Sequence, residues 1–129
     1  LEDTPAILFW GDDFMKPYPH QPDIIVPLAD ERMDLKVKLA SCHECQYFDW
    51  MYWPHHTERI DWPREKQVAM LNERYHAGSQ AEADRLRGKL TELYGVESAA
   101  KIRNVETYEI SEYSGPIDEE FLTIAKSVE

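Results

Sequence analysis

Short apolar runs predict the β-strands of this chain. The run PAILFW, residues 5–10, predicts a buried strand, and DIIVPL, residues 23–28, predicts a second one. Pro27 has no N–H to donate to a neighbouring strand, so it should mark the end of that strand or an edge of the sheet. The alternating segment NVETYEISEY, residues 104–113, predicts a third strand.

A helical period follows the second strand. Leu35 and Cys42 lie on its apolar face, and Asp30 can cap its N-terminus. The period predicts a helix that ends near Phe48. The aromatic stretch after it, residues 49–63, predicts a long loop.

Two more helices are predicted in the second half of the chain. The first stops near Gly78, and the capping-box sequence SQAE, residues 79–82, begins the second, which Gly95 closes. The short link between them implies an antiparallel helical hairpin. A short C-terminal helix is predicted after a cap at Asp118.

This order of elements predicts an α/β fold: a partial Rossmann-like sheet flanked by helices, with the helical hairpin as an insertion. The 129 residues fit a single domain. Three strands are few for a complete α/β sheet, and the sequence does not open with Met. We therefore expect residues 1–129 to be half of a larger α/β domain.

The charge of the chain narrows the possible partners. A formal net charge of -11 disfavours nucleic acid and anionic membrane surfaces, because both are negatively charged themselves. No apolar run approaches the roughly 20 residues of a membrane span, and no signal peptide is visible. Two cysteines do not make a disulfide framework. We expect a cytoplasmic protein with neither nucleic acid nor membrane as a partner.

Both cysteines lie in the motif SCHECQ, residues 41–46, for which three interpretations are open. A structural zinc site would need four ligands, and His55 and His56 are the nearby histidines that could complete it. A redox dithiol would normally sit at a helix N-terminus. The third interpretation is packing, because cysteine is often buried. A position inside the predicted helix favours packing.

A more specific signal spans the same motif. The segment PDIIVPLADERMDLKVKLASCHECQ, residues 22–46, resembles a segment of the LmbE-like, or GlcNAc-PI de-N-acetylase, family. Members have a strand that begins with Pro-Asp, then a helix with a lysine and the pattern His-x-Ser-Gln. Here Lys36 stands seven residues before His43, Gln46 closes the pattern, and Cys45 takes the place of the serine.

The segment VETYEISEY, residues 105–113, is similar to the closing Ala-Glu-x-aromatic segment of that family, with Glu106 as its glutamate. The resemblance implies a zinc-dependent hydrolase that cleaves the acetamide of an N-acetylglucosamine-type substrate. In that chemistry the metal activates a water molecule and a carboxylate accepts its proton. The His-Pro-Asp-Asp motif that holds zinc in the family is absent. GDDF, residues 11–14, follows an apolar strand but lacks the His and Pro, so a turn is predicted there.

The resemblance therefore implies the C-terminal portion of such a deacetylase, without its metal-binding half. We expect no metal ligand, no catalytic residue and no hydrolase activity in this chain alone. Zinc is expected for the complete family fold. The expected partners are a missing N-terminal half, a second chain or a second copy. Four residues of the family motifs should support the site or the fold rather than bind metal: Lys36, His43, Gln46 and Glu106.

The aromatic loop supplies an alternative function. Trp50, Tyr52 and Trp53 could form a wall for a sugar substrate, because sugars stack on aromatic rings. Aromatic residues are also enriched at protein interfaces. A non-catalytic binding or interaction module that uses residues 47–62 is therefore the second hypothesis.

Overall fold

The computed structural model of this protein describes residues 4–11, 19–50 and 57–126. Within these ranges the chain is mixed α and β. The strands are β1 (Leu8–Trp10), β2 (Ile24–Leu28) and β3 (Asn104–Ile110). The α-helices are α1 (Asp30–Ser41), α2 (Arg64–Arg85), α3 (Arg87–Tyr94), α4 (Val96–Lys101) and α5 (Glu119–Lys126). A π-helix covers Cys45–Trp50, and a 3-10 turn covers Thr57–Arg59.

The described strands form one antiparallel sheet in the order β1-β3-β2. Leu8 lies opposite Ile110 in one strand pair, and Leu28 lies opposite Asn104 in the other. A Rossmann-like arrangement, which is built from parallel strands, is not confirmed by this sheet. The prediction that Pro27 marks an edge is confirmed, because β2 is an outer strand.

The first predicted strand is present but shorter and less buried than expected. β1 has three residues, and the side chains of Phe9 and Trp10 are 39% and 56% exposed. The prediction of a buried strand was therefore wrong. The reason is that α5 packs against β2 and α2 packs against β3, whereas β1 makes its main contacts with β3 alone.

The helix after β2 ends earlier than its apolar period predicts. α1 stops at Ser41, and the N–H groups of Cys42 and His43 turn back to the carbonyls of Leu39 and Ala40 at 3.1 and 3.0 Å. These tight hydrogen bonds close the last turn. The prediction of a helix that continues to Phe48 was wrong, because α1 is interrupted after Ser41 and the π-helix begins at Cys45.

The predicted cap of α1 is also different. Asp30 is the first residue inside the helix, and Ala29 precedes it without a side-chain cap. The Asp30 carboxylate instead accepts a hydrogen bond from the side-chain amide of Asn104 at 2.8 Å. It therefore ties the start of α1 to the start of β3.

The predicted helical hairpin with a link at Gly78 and Ser79 is wrong. α2 is one helix of 22 residues that continues through both positions. A glycine inside a helix costs about 1 kcal/mol relative to alanine, which the packing of α2 against β3 outweighs. The boundary between two helices lies at Leu86 instead, and Gly95 closes α3 with a φ of 78°, as the glycine predicted.

Two groups of buried apolar residues form the core, and α2 contributes to both. We call the first the sheet cluster; its members are Ile25, Ala83, Leu86, Leu90, Ala99 and Val105. We call the second the helix cluster; its members are Val37, Ala40, Phe48 and Leu71. The sheet cluster fixes β2 and β3 against α2, α3 and α4. The helix cluster fixes α1 and the π-helix against the first half of α2.

The C-terminal helix begins as predicted. The Asp118 carboxylate accepts a hydrogen bond from the N–H of Phe121 at 2.8 Å and so caps α5. α5 packs against β2. In the described part of the chain, no helix combines the length and the apolar character needed to cross a membrane.

Candidate functional site

A cavity of about 480 Å³ opens beside the central strand. β1 pairs with residues 108–110 of β3, so on the β1 side the preceding stretch of β3 meets α2 instead of a strand. We call this space the polar cavity. Its polar lining includes His20, Lys36, Glu82, Arg85, Glu106 and Thr107. Side chains from α1, α2, β3 and the segment before β2 therefore converge in one place.

Lys36 and Glu106 form an ion pair in the wall of this cavity. Lys36 projects from α1 and Glu106 from β3, and their side chains are only 28% and 13% exposed. The ammonium group also lies 4.7 Å from the ring centroid of Trp10 and 5.4 Å from that of Tyr75. Partial burial strengthens an ion pair and a cation–π contact, because less water screens them.

His20 is bonded through both ring nitrogens to β3. Nδ1 lies 3.2 Å from a carboxylate oxygen of Glu109, and Nε2 lies 3.1 Å from the hydroxyl of Thr107. The carboxylate can only accept, so Nδ1 donates to it, and in the neutral ring Nε2 accepts from the hydroxyl. The other oxygen of Glu109 accepts the N–H of Gln21 at 2.8 Å. These bonds fasten the segment before β2 to the cavity.

Tyr75 forms another part of the wall and is held by Tyr47 of the π-helix. The Tyr75 hydroxyl donates to the Tyr47 hydroxyl at 2.6 Å, and the two rings meet edge to face with centroids 6.1 Å apart. Burial, followed by the hydrogen bond to Tyr47, raises the pKa of Tyr75 above its usual value. Tyr75 therefore stays a neutral phenol at physiological pH.

Glu82 and Arg85 form a paired group on the α2 side of the cavity. The guanidinium donates two hydrogen bonds to the carboxylate, from Nε at 2.7 Å and from Nη2 at 2.6 Å. The hydrogen bonds from Arg85 lower the pKa of Glu82, so this carboxylate stays ionised. The pair places a guanidinium donor group and a carboxylate acceptor group side by side at the cavity surface, and we call it the Glu82–Arg85 fork.

The structure brings together only some of the residues that the sequence singled out. Lys36 and Glu106 meet, although 70 positions separate them in the chain. His43 and Gln46 are exposed at the junction of α1 and the π-helix and do not line the polar cavity. His20, to which sequence reasoning assigned no role, does line it. Alternation along β3 places Thr107 and Glu109 on one face, but no local signal indicates that His20 would bond to them.

Of the described tryptophans, Trp10 lines the polar cavity and Trp50 does not. Trp50, at the end of the π-helix, is 61% exposed and does not line the polar cavity. Tyr52 and Trp53 lie outside the described residues. Trp10 lines both the polar cavity and a neighbouring apolar groove of about 340 Å³, so an aromatic surface at the cavity comes from β1.

The cysteines are not packed in the core. Cys42 and Cys45 are both exposed free thiols, so the interpretation of Cys42 as buried helix packing was wrong. α1 turns Val37 and Ala40 toward the helix cluster and ends before Cys42. Across residues 4–11, 19–50 and 57–126, no group of three or more His, Cys, Asp or Glu side chains could hold a metal ion. His55 and His56, like GDDF from Asp12 onward, lie outside those ranges.

Fold and site together define a mixed α/β protein with a partly buried ion pair at a polar cavity. No family model, curated protein or solved structure matches this chain. The function is therefore argued from the motifs of the sequence and from the contacts of its own residues.

Proposed function

We propose that this chain is the C-terminal part of a LmbE-like N-deacetylase, which hydrolyses the acetamide of an N-acetylglucosamine-type substrate. In this proposal the polar cavity forms one part of the substrate site, and the rest of the site comes from the N-terminal half or a second chain. The observation that carries the proposal is the ion pair between Lys36 and Glu106.

This ion pair joins the two segments on which the family resemblance rests. Lys36 belongs to the strand–helix motif and Glu106 to the closing strand motif, and 70 positions separate them. Two unrelated matches in the sequence would have no reason to meet. Their contact in a partly buried wall supports one site built from both motifs.

The other cavity residues suit a sugar. The exposed ring of Trp10 offers an apolar face for stacking, and the Glu82–Arg85 fork offers acceptors and donors for hydroxyl groups. Ligand sites typically combine apolar surface with a few convergent polar groups. His20 and Thr107 already satisfy each other, so they shape the wall. The role of this chain is to bind and orient the sugar.

The described residues do not fit the zinc ion of the family, because they contain no group of three or more side chains that could hold it. The zinc would be held by an N-terminal half or by a second chain, where it would supply activated water. In this proposal the three-stranded sheet is the edge of a larger Rossmann-like domain. A cytoplasmic location belongs to the same proposal.

The test uses the product of the complete reading frame, loaded with zinc, and measures acetate release from N-acetylglucosamine conjugates. Lys36→Met should lower kcat/KM by about tenfold or more, since one charge-assisted hydrogen bond is worth roughly 1.5–3 kcal/mol. Lys38→Met is the matched control, because Lys38 lies on the same helix with an exposed side chain. The proposal fails if no acetate is released or if both variants behave alike.

The second candidate is a non-catalytic interaction module that uses residues 47–62, including a contact between two copies. The exposure of Trp50, at 61%, favours it. Trp50→Ala would then change the sedimentation coefficient or the partner binding of the protein while acetate release stayed the same. If Trp50→Ala lowered acetate release without a change in sedimentation, Trp50 would belong to the substrate site instead.

A further inference from the structure

The two thiols lie on either side of a break in the helical backbone. α1 ends at Ser41, Cys42 is its cap with helical φ and ψ of -72° and -18°, and the π-helix begins at Cys45. His43, between them, belongs to neither helix. Both thiols are exposed and free. The proposed deacetylase function gives this pair no task.

Cys42 and Cys45 have the sequence spacing of neighbours on one helical turn. Side chains three residues apart in a helical turn have Cβ atoms about 5–6 Å apart, whereas a disulfide needs roughly 3.5–4.5 Å. The turn must therefore tighten by about 1–2 Å to close the bond. The break at His43 can absorb this change without unwinding α1, so the displacement falls on the start of the π-helix.

The π-helix passes such a displacement to the polar cavity. The N–H of Tyr47 donates to the carbonyl of His43 at 3.0 Å, so the turn that would tighten also holds Tyr47. The Tyr47 hydroxyl accepts the 2.6 Å hydrogen bond from Tyr75, which lines the cavity beside Lys36. Single-turn π-helices are rare and occur frequently at functional sites.

We propose that Cys42 and Cys45 are a redox modification site, which closes to an intramolecular disulfide and loosens the contact between Tyr47 and Tyr75. The oxidant is a low-molecular-weight disulfide such as oxidised glutathione. One cysteine thiolate attacks it, forms a mixed disulfide and releases one glutathione thiolate. The second cysteine thiolate then displaces the other glutathione, and the two cysteine protons end on the two glutathione thiols.

The experiment equilibrates the full-length protein in mixtures of reduced and oxidised glutathione. Remaining thiols are blocked with N-ethylmaleimide, and intact mass counts the labels. We expect the oxidised protein to carry neither label nor glutathione on Cys42 and Cys45. Amide hydrogen exchange should then be about fivefold faster in peptides that cover residues 43–50 and 71–79, since a hydrogen bond of ordinary strength is lost.

Two controls isolate the effect. Peptides from α5 should exchange at the same rate in both redox states, because α5 packs on β2. Cys45→Ser, an exposed and nearly isosteric change, should show no acceleration in the oxidised mixture. Mixed glutathione adducts without an internal disulfide would overturn the proposal that Cys42 and Cys45 form a disulfide with each other. A disulfide that leaves both peptides unchanged would overturn the coupling to Tyr75. Mass and exchange do not depend on acetate release, so the deacetylase proposal can fail separately.

Discussion

The two hydrophobic clusters that α2 joins are closed in different ways. In the sheet cluster, Ala83 and Leu90 are both 0% exposed, and strands and helices surround them. In the helix cluster, Phe48 and Leu71 are 1% and 3% exposed, but polar pairs complete the packing. The amide of Gln67, for example, is itself buried and donates to the carbonyl of Arg59 at 2.9 Å.

The polar cavity lies along the second half of α2, from Tyr75 to Arg85. Leu71 belongs to one cluster and Ala83 to the other, and Tyr75 and Glu82 line the cavity between them. Twelve residues of helix span about 18 Å, so α2 sets a fixed distance between the clusters. The comparison teaches that apolar packing fixes α2 at Leu71 and at Ala83, which leaves residues between them, such as Tyr75 and Glu82, available for polar contacts.

The largest expected effect is in the sheet cluster. Leu90→Ala should lower the free energy of unfolding by about 4 kcal/mol, and Leu71→Ala by about 2 kcal/mol, because a site among half-buried neighbours can collapse more fully. Urea denaturation measures both, with Leu93→Ala as the control because Leu93 is 44% exposed. A larger loss for Leu71→Ala would reverse the ranking of the two clusters.

The next effect concerns the point where α2 meets the sheet. The Ser79 hydroxyl accepts the N–H of Val105 at 2.9 Å and donates to its carbonyl at 3.0 Å. Ser79→Ala leaves both buried backbone groups without this partner and should cost about 1–3 kcal/mol in the free energy of unfolding. Urea denaturation of Ser98→Ala gives the comparison, since Ser98 is an exposed helical serine. If Ser79→Ala and Ser98→Ala lowered the free energy of unfolding equally, the hydrogen bonds between Ser79 and Val105 would not stabilise the packing of α2 on the sheet.

A smaller effect is expected within the cavity wall. A double-mutant cycle with Lys36→Met and Glu106→Gln should give a coupling energy of about 1 kcal/mol, because water still reaches this pair. Thermal unfolding of the four proteins measures it. A coupling several times larger would make the ion pair a main support of the fold and would weaken the distinction between the polar cavity and the two apolar clusters.

A similarly small effect at neutral pH should come from Tyr75→Phe, at about 0.5–1.5 kcal/mol for one hydrogen bond. Its pH dependence is more informative. Because the pKa of Tyr75 is raised in the folded protein, its contribution is complete below about pH 10 and is lost as the pH rises further. Tyr75→Phe should therefore lose less stability than the native protein above that pH. Tyr113→Phe, at a 73% exposed position, should follow the native curve.

Sequence signals predicted the features that depend on one residue and its near neighbours in the chain. Pro27 marks an edge strand, Asp118 caps α5 and Gly95 ends α3. The continuation of α2 was not predictable in this way. Ser79 has the residue type of a helix cap, but its partner is Val105, 26 positions further along the chain. Tertiary contact therefore overrode a local capping signal.

The candidate site shows the same division. The sequence singled out Lys36 and Glu106 as members of two separate motifs, and only the structure shows that they touch. His20 carries no motif and no periodicity, so only the folded chain reveals its bonds to β3. The end of α1 before Cys42 was missed because the apolar period continues through it, whereas backbone hydrogen bonds decide where the helix stops.

The Ser79–Val105 contact also bears on aggregation. Exposed backbone along a strand is a template on which another chain can add a strand. β1 pairs with β3 only from Tyr108 to Ile110, so on that side the N–H and carbonyl of Val105 would lack a partner without Ser79. The serine hydroxyl occupies both polar groups of Val105, and the body of α2 covers that side of β3. Protection of the sheet from edge-to-edge association thus comes from a helix, through one hydroxyl group.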